Sequence, residues 1–186
     1  WNGTTSGSWL WTPQGLEPPS ALESPGSCDK GDVVTSRIKG KWAQGIRPRN
    51  FSWVIKDLWA ICERPGGYGD QHRRVRRQEE IIWIREQGFG KVISIIPSPH
   101  NLHNYDELGM PYLHRPFTVI DEPADYLRQL YPELRGLMSS GTKIMMHNEI
   151  VDDRVAGVIG GYLRWTGMIV DIPQAVQVVE KITNRQ

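Results

Sequence analysis

The chain has 186 residues, of which 39% are hydrophobic and 23% charged, as expected for one globular domain with an additional segment. A formal net charge of +1 gives no overall field that would select nucleic acid or a membrane surface. No apolar run is long enough to cross a bilayer, and no basic region followed by an apolar core opens the chain. We therefore expect a cytoplasmic protein without a membrane partner.

Residues 1–50 are predicted to form an irregular N-terminal arm. Residues 1–32 are rich in Gly, Ser, Thr and Pro. They also contain Trp1, Trp9 and Trp11, and large aromatic side chains tend to anchor on a protein surface, so we expect the arm to contact this domain or a protein partner. Residues 37–49 are basic around Trp42. Nucleic-acid binding there is the weaker alternative to a solvated connection, because the net charge is close to zero.

The two cysteines do not make a disulfide framework. Cys62 lies in an apolar run and is predicted to be a buried structural thiol, whereas Cys28 lies in a Ser/Pro/Gly-rich stretch and is predicted to be exposed. The sequence leaves a bridge between them as an alternative.

Residues 51–186 are predicted to form the globular domain. Strands at 51–55 and 58–62 are joined by a turn at Lys56 and Asp57. Asp70 is predicted to cap a helix that runs through Arg73 to about residue 87 and is closed by Gly88. Its apolar face is expected to hold Val75, Ile81, Ile82 and Trp83, and its Arg and Glu residues at 73–80 are expected to form a solvated, charge-paired face.

The second half of the domain alternates strands and helices. Residues 91–96 are almost continuously apolar, which predicts a parallel strand covered on both faces. The following loop carries His100, His103 and Asp106, which we expect to be ordinary loop residues and not a metal site. A strand is predicted over 112–120, a helix over 124–140, a strand from 143, and helices over 155–165 and 173–183. This order predicts an α/β domain with a central, mostly parallel sheet flanked by helices.

The segment Lys143–Arg154 holds the candidate site. It begins as an apolar strand, becomes a polar loop and continues from Val155 as a helix. Such a unit directs backbone N–H groups and the positive end of the helix at one point, which makes an anion site at the carboxyl edge of the sheet. Arg154 adds a planar fork suited to phosphate.

The spacing from His147 to Arg154 resembles the phosphate-binding loop of the cysteine-dependent protein-tyrosine and dual-specificity phosphatases. The resemblance implies that His147, residues Glu149, Ile150, Val151, Asp152 and Asp153, and Arg154 form the loop, with no cofactor and no metal. Asn148 stands where the family has its nucleophilic cysteine. An amide cannot become a thiolate or form a covalent phosphoenzyme.

The resemblance extends over residues 51–186. This region is similar to small bacterial and archaeal members of the dual-specificity type in the strand at Trp53, the turn Arg64-Pro65-Gly66 and the run Gly88-Phe89-Gly90. In the family an aspartate on an earlier loop protonates the leaving oxygen. Asp121 is the best match and Asp125 the second. The alternative is that both are loop and helix-cap residues.

Four features depart from the family pattern. Asn148 replaces the cysteine, Val151 stands where many members have glycine, and Val155 stands where members usually have Ser or Thr. Three carboxylates (Glu149, Asp152 and Asp153) lie in a loop that would bind a phosphate dianion, and their negative charges weaken that binding. The first hypothesis is therefore a pseudophosphatase that binds a phosphorylated protein or a small phosphoester without turnover. The alternative is an active phosphatase whose cysteine has been replaced at position 148, and the sequence leaves the question of enzymatic activity open.

Overall fold

The computed structural model describes residues 44–67, 73–118 and 122–184. Most of the predicted arm, with Cys28, and the predicted cap Asp70 lie outside these ranges. The described residues form the elements β1 (Ser52–Ile55), β2 (Trp59–Glu63), α1 (Arg74–Glu86), β3 (Lys91–Ser94), α2 (His103–Glu107), β4 (Tyr112–His114), α3 (Pro123–Ser139), β5 (Ile144–Asn148), α4 (Asp153–Trp165) and α5 (Ile172–Thr183).

The predicted α/β fold with a central, mostly parallel sheet is confirmed. The five strands lie in the order β1-β2-β5-β3-β4. Only β1 is antiparallel to its neighbour, and it is joined to β2 through a turn in which Asp57 adopts a left-handed φ of 61°. The β2–β5, β5–β3 and β3–β4 pairs are all parallel. Strand β5 lies in the middle, as its fully buried apolar residues require.

Two apolar cores cover the two faces of the sheet. One contains Ile61 and Met146 together with Val158 and Ile159 of α4, and residues of α3 and α5 also join it. The other contains Met145 together with Ile81 and Ile84 of α1, and Tyr105 of α2 also lies there. Each such aliphatic side chain contributes about 1.5–3 kcal/mol when it is fully buried. Because side chains alternate along a strand, one continuous apolar run supplies both cores.

The edge region differs from the prediction at two elements. The strand predicted over 112–120 ends at His114, although backbone bonds from Arg115 to Ser94 and from Phe117 to Ile95 still tie the chain to β3. Pro116 lies between these donors and has no N–H, which interrupts a regular ladder. The short helix α2 was not predicted, because five residues are too few to show a helical period.

The surface predicted for α1 was also partly wrong. Val75 is 71% exposed, whereas Arg77 and Glu80, expected in a solvated face, are buried. The Glu80 carboxylate accepts a hydrogen bond from Gly66 N at 2.7 Å, and the Arg77 guanidinium donates to the side chain of Asn104 in α2. Buried charges need such partners, and here they connect α1 to the loop after β2 and to α2.

Tyr131 of α3 packs directly against α4 at Gly161. A Cβ atom at Gly161 would lie 2.1 Å from the Tyr131 hydroxyl oxygen, which donates to the Val158 carbonyl at 3.2 Å. A Cβ atom at Gly157, one turn earlier, would have no neighbour within 4 Å. Only Gly161 is therefore needed for helix packing.

We expect Gly161→Ala to lower the free energy of unfolding by about 1–3 kcal/mol, because the methyl group overpacks the contact with Tyr131. Gly157→Ala in the same helix should leave it unchanged or raise it by up to about 1 kcal/mol, since alanine favours a helix and meets open space. Urea denaturation of both variants measures the difference. Equal effects at the two positions would contradict this packing assignment.

Candidate functional site

The loop that follows β5 lies where three parallel strands end together. Strand β5 ends at Asn148 and α4 begins at Asp153, so residues 149–152 form the connection. Glu63 at the end of β2 is in register with Asn148, and Ser94 at the end of β3 is in register with His147. The segments that follow β2 and β3 therefore lie beside the loop, at the edge where parallel sheets bind ligands.

The start of α4 already holds a negative charge of the protein itself. Asp152 is the N-cap residue, and its Oδ1 accepts a hydrogen bond from Val155 N at 3.1 Å. The same oxygen accepts a bond from Asn148 Nδ2 at 3.2 Å. One carboxylate thus links Asn148 to the positive end of the helix, where a bound anion would otherwise find N–H groups.

Valine at position 151 is compatible with the backbone of this loop. No residue from Asn148 to Arg154 has a positive φ, so the turn does not require glycine. Val151 packs against the core on the α3/α4 face of the sheet, whereas Ile150 is 38% exposed at the surface of the loop.

Arg154 is fixed by the segment that follows β4. Its Nη1 donates to the Phe117 carbonyl at 3.2 Å, and the side chain is half-buried. Among the residues that the structure describes, the guanidinium has no further hydrogen-bond partner, which leaves donors of the fork for a ligand.

Arg64 is a second guanidinium at the site, which the sequence analysis did not assign to it. It lies directly after β2, and its Nη1 pairs with Glu149 Oε1 at 2.6 Å while Nη2 donates to the His100 carbonyl at 2.7 Å. Its side chain is only 11% exposed. The available signal was that Arg64 follows a strand predicted in the same sheet as β5, so that both loops meet at one edge.

His147 is buried beneath the loop and is neutral. It is 1% exposed, and its ring centroid lies 5.9 Å from that of Tyr105. Burial lowers the pKa of His147 to about 3, and the charges of Arg64 and His114 act in the same direction. The ring therefore carries no charge at neutral pH.

The described residues Asn148 and Cys62 near this loop carry no reactive thiolate. Asn148 is 5% exposed and carries an amide. Cys62, in register with His147, is a free and buried cysteine, as the sequence predicted, and burial raises the pKa of its thiol well above the usual value. A protonated thiol inside a strand is a poor nucleophile.

The two candidate acids are not equally visible. Asp121 lies outside the described residues, and its role stays a prediction. Asp125 lies in the first turn of α3, is exposed and pairs with Arg128 of the same helix. Over the described ranges, no group of three or more His, Cys, Asp or Glu side chains could hold a metal ion. Each helix in those ranges is too short or too polar to span a bilayer.

Solved structures of phosphatases share this arrangement of strands and helices. A kinase associated phosphatase (KAP), with its catalytic cysteine substituted by serine, aligns at a TM-score of 0.60 and 18% identity, covering 73% of this chain and 84% of that one. The chain has the protein-tyrosine and dual-specificity phosphatase fold. The PTP-2 phosphatase of Cydia pomonella (TM-score 0.54, 21% identity, 73% and 81% covered) has it too.

A third solved phosphatase structure also has this fold. The core catalytic domain of the PP-IP phosphatase SIW14 from S. cerevisiae aligns at a TM-score of 0.54 and 16% identity, covering 75% of this chain and 79% of that domain. No family model and no curated protein matches the sequence. The likeness is therefore one of fold.

We predict that stability falls on acidification because of His147. The unfolded chain protonates His147 near its ordinary pKa of about 6.5, whereas the folded chain resists protonation down to about 3. Between these values the unfolded state binds more protons, so the free energy of unfolding falls as pH falls, by up to about 1.4 kcal/mol per pH unit. Urea denaturation from pH 7.5 to 4.5 measures the slope. His147→Gln should reduce the slope of the free energy of unfolding against pH, whereas His103→Gln, at an exposed ring, should leave it unchanged. Identical slopes in the unmodified protein and both variants would contradict the assignment to His147.

We predict that Asp152→Asn strengthens the binding of inorganic phosphate. The substitution removes one negative charge at the helix start, and asparagine is an equally good N-cap, so stability should change little. A gain of at least about 1 kcal/mol, roughly fivefold in Kd, is expected. Isothermal titration calorimetry at fixed ionic strength measures it. Asp171→Asn is the matched control, because Asp171 caps α5 in the same way through Gln174 N at 2.9 Å. A similar gain in phosphate affinity in that variant would contradict the prediction.

Proposed function

We propose that this chain is a pseudophosphatase, which binds a phosphorylated partner through residues 147–154 and does not hydrolyse it. The observation that carries the proposal is the hydrogen bond between Asn148 and Asp152 at the position of the nucleophile. An amide in that position cannot attack phosphorus to form a phosphoenzyme. Its N–H group is instead used to hold the loop and the start of α4 together.

Anion binding is supported by the groups that remain. The N-terminus of α4 follows the end of β5 after four residues, and Arg154 lies in the first turn of that helix with guanidinium donors beyond the one used on the Phe117 carbonyl. Replacing a thiolate by a neutral amide also removes a negative charge beneath the ligand. Asp152 and Glu149 oppose binding, and the second of these is neutralised by Arg64 at 2.6 Å. The balance favours modest affinity for phosphate alone.

Modest affinity for phosphate favours a phosphorylated protein over a small phosphoester as the partner. Ile150 offers an exposed apolar side chain on the loop itself. A peptide can contact this side chain together with the phosphate, whereas a small phosphoester has little apolar surface to place there. The added contact area supplies the affinity that the loop carboxylates remove.

The test combines binding and turnover in the full chain. O-phosphotyrosine is the ligand for calorimetry, and para-nitrophenyl phosphate is the substrate for hydrolysis. We expect binding without hydrolysis, and a Kd weakened about tenfold or more in Arg154→Ala, since a charge-assisted hydrogen bond contributes about 1.5–3 kcal/mol. Arg128→Ala, at an exposed arginine of α3, is the control that should bind normally. Hydrolysis by the unmodified chain, or O-phosphotyrosine binding that is unchanged in Arg154→Ala, would refute the proposal.

The second candidate function is an active phosphatase whose nucleophile has been replaced at Asn148. It is favoured by the fold and by the presence of His147 and Arg154 at the family positions, with Asp121 as the proposed general acid. In this case Asn148→Cys restores hydrolysis of para-nitrophenyl phosphate, and adding Arg154→Ala abolishes it. Under the first proposal Asn148→Cys stays inactive while folded, because Asp152 and Val155 still occupy the surroundings of the new thiol.

A further inference from the structure

A groove of about 550 Å³ lies between α4 and α5, next to the loop but distinct from it. Small and apolar residues form most of its walls, among them Gly157 and Gly160 of α4 and Ile172 and Val176 of α5. Its volume falls within the range of about 300–1,000 Å³ that is usual for ligand-binding pockets in proteins.

The groove is open beside Gly157 of α4, which carries no side chain. A Cβ atom there would find no heavy atom within 4 Å, whereas at Gly160 it would lie 3.4 Å from a Val179 methyl group. Alanine would be the better helix former at Gly157, and the close packing with α3 needs only Gly161. The open space at Gly157 is therefore not required by the fold.

Exposed apolar side chains are concentrated around the connection between α4 and α5, and two of them, Ile172 and Val176, line the groove. Of the eight large hydrophobic side chains that are exposed among the described residues, five lie between residues 165 and 176: Trp165, Met168, Val170, Ile172 and Val176. Exposure of that kind, concentrated in one turn and the helix after it, is typical of a protein interaction surface.

Charges of opposite sign mark the two ends of the groove. Asp153 is the first residue of α4 and Arg164 lies in its last turn, so they line opposite ends of the groove. Glu180 of α5 also lines it, and the Arg164 guanidinium already donates one hydrogen bond to the Val170 carbonyl. The stretch of α4 between Asp153 and Arg164 measures about 18 Å, or roughly three helical turns. The end of the groove at Asp153 adjoins the phosphate-binding loop.

We propose that this groove docks an amphipathic helix of the phosphorylated protein partner. Apolar anchors at i, i+4 and i+7 fill the space beside Gly157, a Lys or Arg side chain meets Glu180, and an acidic side chain meets Arg164. A lipid surface, which presents one sign of charge, does not complement the two ends. The inference rests on the proposed function for the identity of the partner, but the docking step itself needs no phosphate.

The probe is a fluorescein-labelled 16-residue helical peptide without phosphate, with four leucines on one face, two lysines at one end and two glutamates at the other. Fluorescence anisotropy with the full chain should show saturable binding, and replacing the leucines by serine should abolish it. Gly157→Leu fills the groove and should weaken binding about tenfold or more. Gly136→Leu is the matched control, because a Cβ atom at Gly136 in α3 also has no neighbour within 4 Å. This control should bind normally.

Three outcomes would overturn the docking proposal. The first is no binding of the peptide, or equal binding by Gly157→Leu and Gly136→Leu. The second is binding only to phosphatidylserine vesicles, lost in Gly157→Leu, which would assign the groove to a lipid surface. The third is a dimer in light scattering that Gly157→Leu dissociates, which would assign it to a second copy of this chain.

Arg154→Ala separates the docking proposal from the proposed function. That variant should lose O-phosphotyrosine and keep the peptide, because the guanidinium does not line the groove. Failure of the loop to bind phosphate would leave the peptide result standing, and failure of the peptide would leave the phosphate result standing.

Discussion

The burial of β5 at the centre of the sheet is the constraint on which the site depends. Its residues are covered on both faces by helices and paired on both edges with parallel strands. The chain can leave such a strand only at its end, and it does so in a loop that α4 must close immediately. The position of Asn148, the direction of α4 and the approach of the loop after β2 all follow from this packing.

The hydrogen-bond donors of the loop that results are partly paired with the protein's own carboxylates. Asp152 accepts hydrogen bonds from the N-terminus of α4 and from the Asn148 amide, and Glu149 forms an ion pair with Arg64. Each carboxylate is stabilised by the same groups that would stabilise a phosphate. The charge of an incoming ligand must therefore compete with groups that are already paired, and neighbouring apolar contacts become the natural source of additional affinity.

Strong local patterns were enough to predict most of the fold. The apolar runs at β3 and β5, the turn at Asp57 and the helical periods of α3, α4 and α5 were all correctly placed to within a few residues. The errors fell where tertiary contacts override local pattern. Arg77 and Glu80 look solvated in sequence, yet α2 and the loop after β2 cover them and supply hydrogen-bond partners. Helix α2 itself has no period long enough to detect.

The sequence by itself determined that the loop after β5 carries an amide at position 148, and an amide has no ionisable nucleophile in any fold. It also determined the order of strands and helices, since hydrophobic periodicity is local. Only the tertiary structure decided that Arg64 and Glu149, 85 residues apart, form an ion pair, that Asp152 binds Asn148, and that an open groove adjoins the loop. These depend on distances between distant segments, which no local pattern encodes.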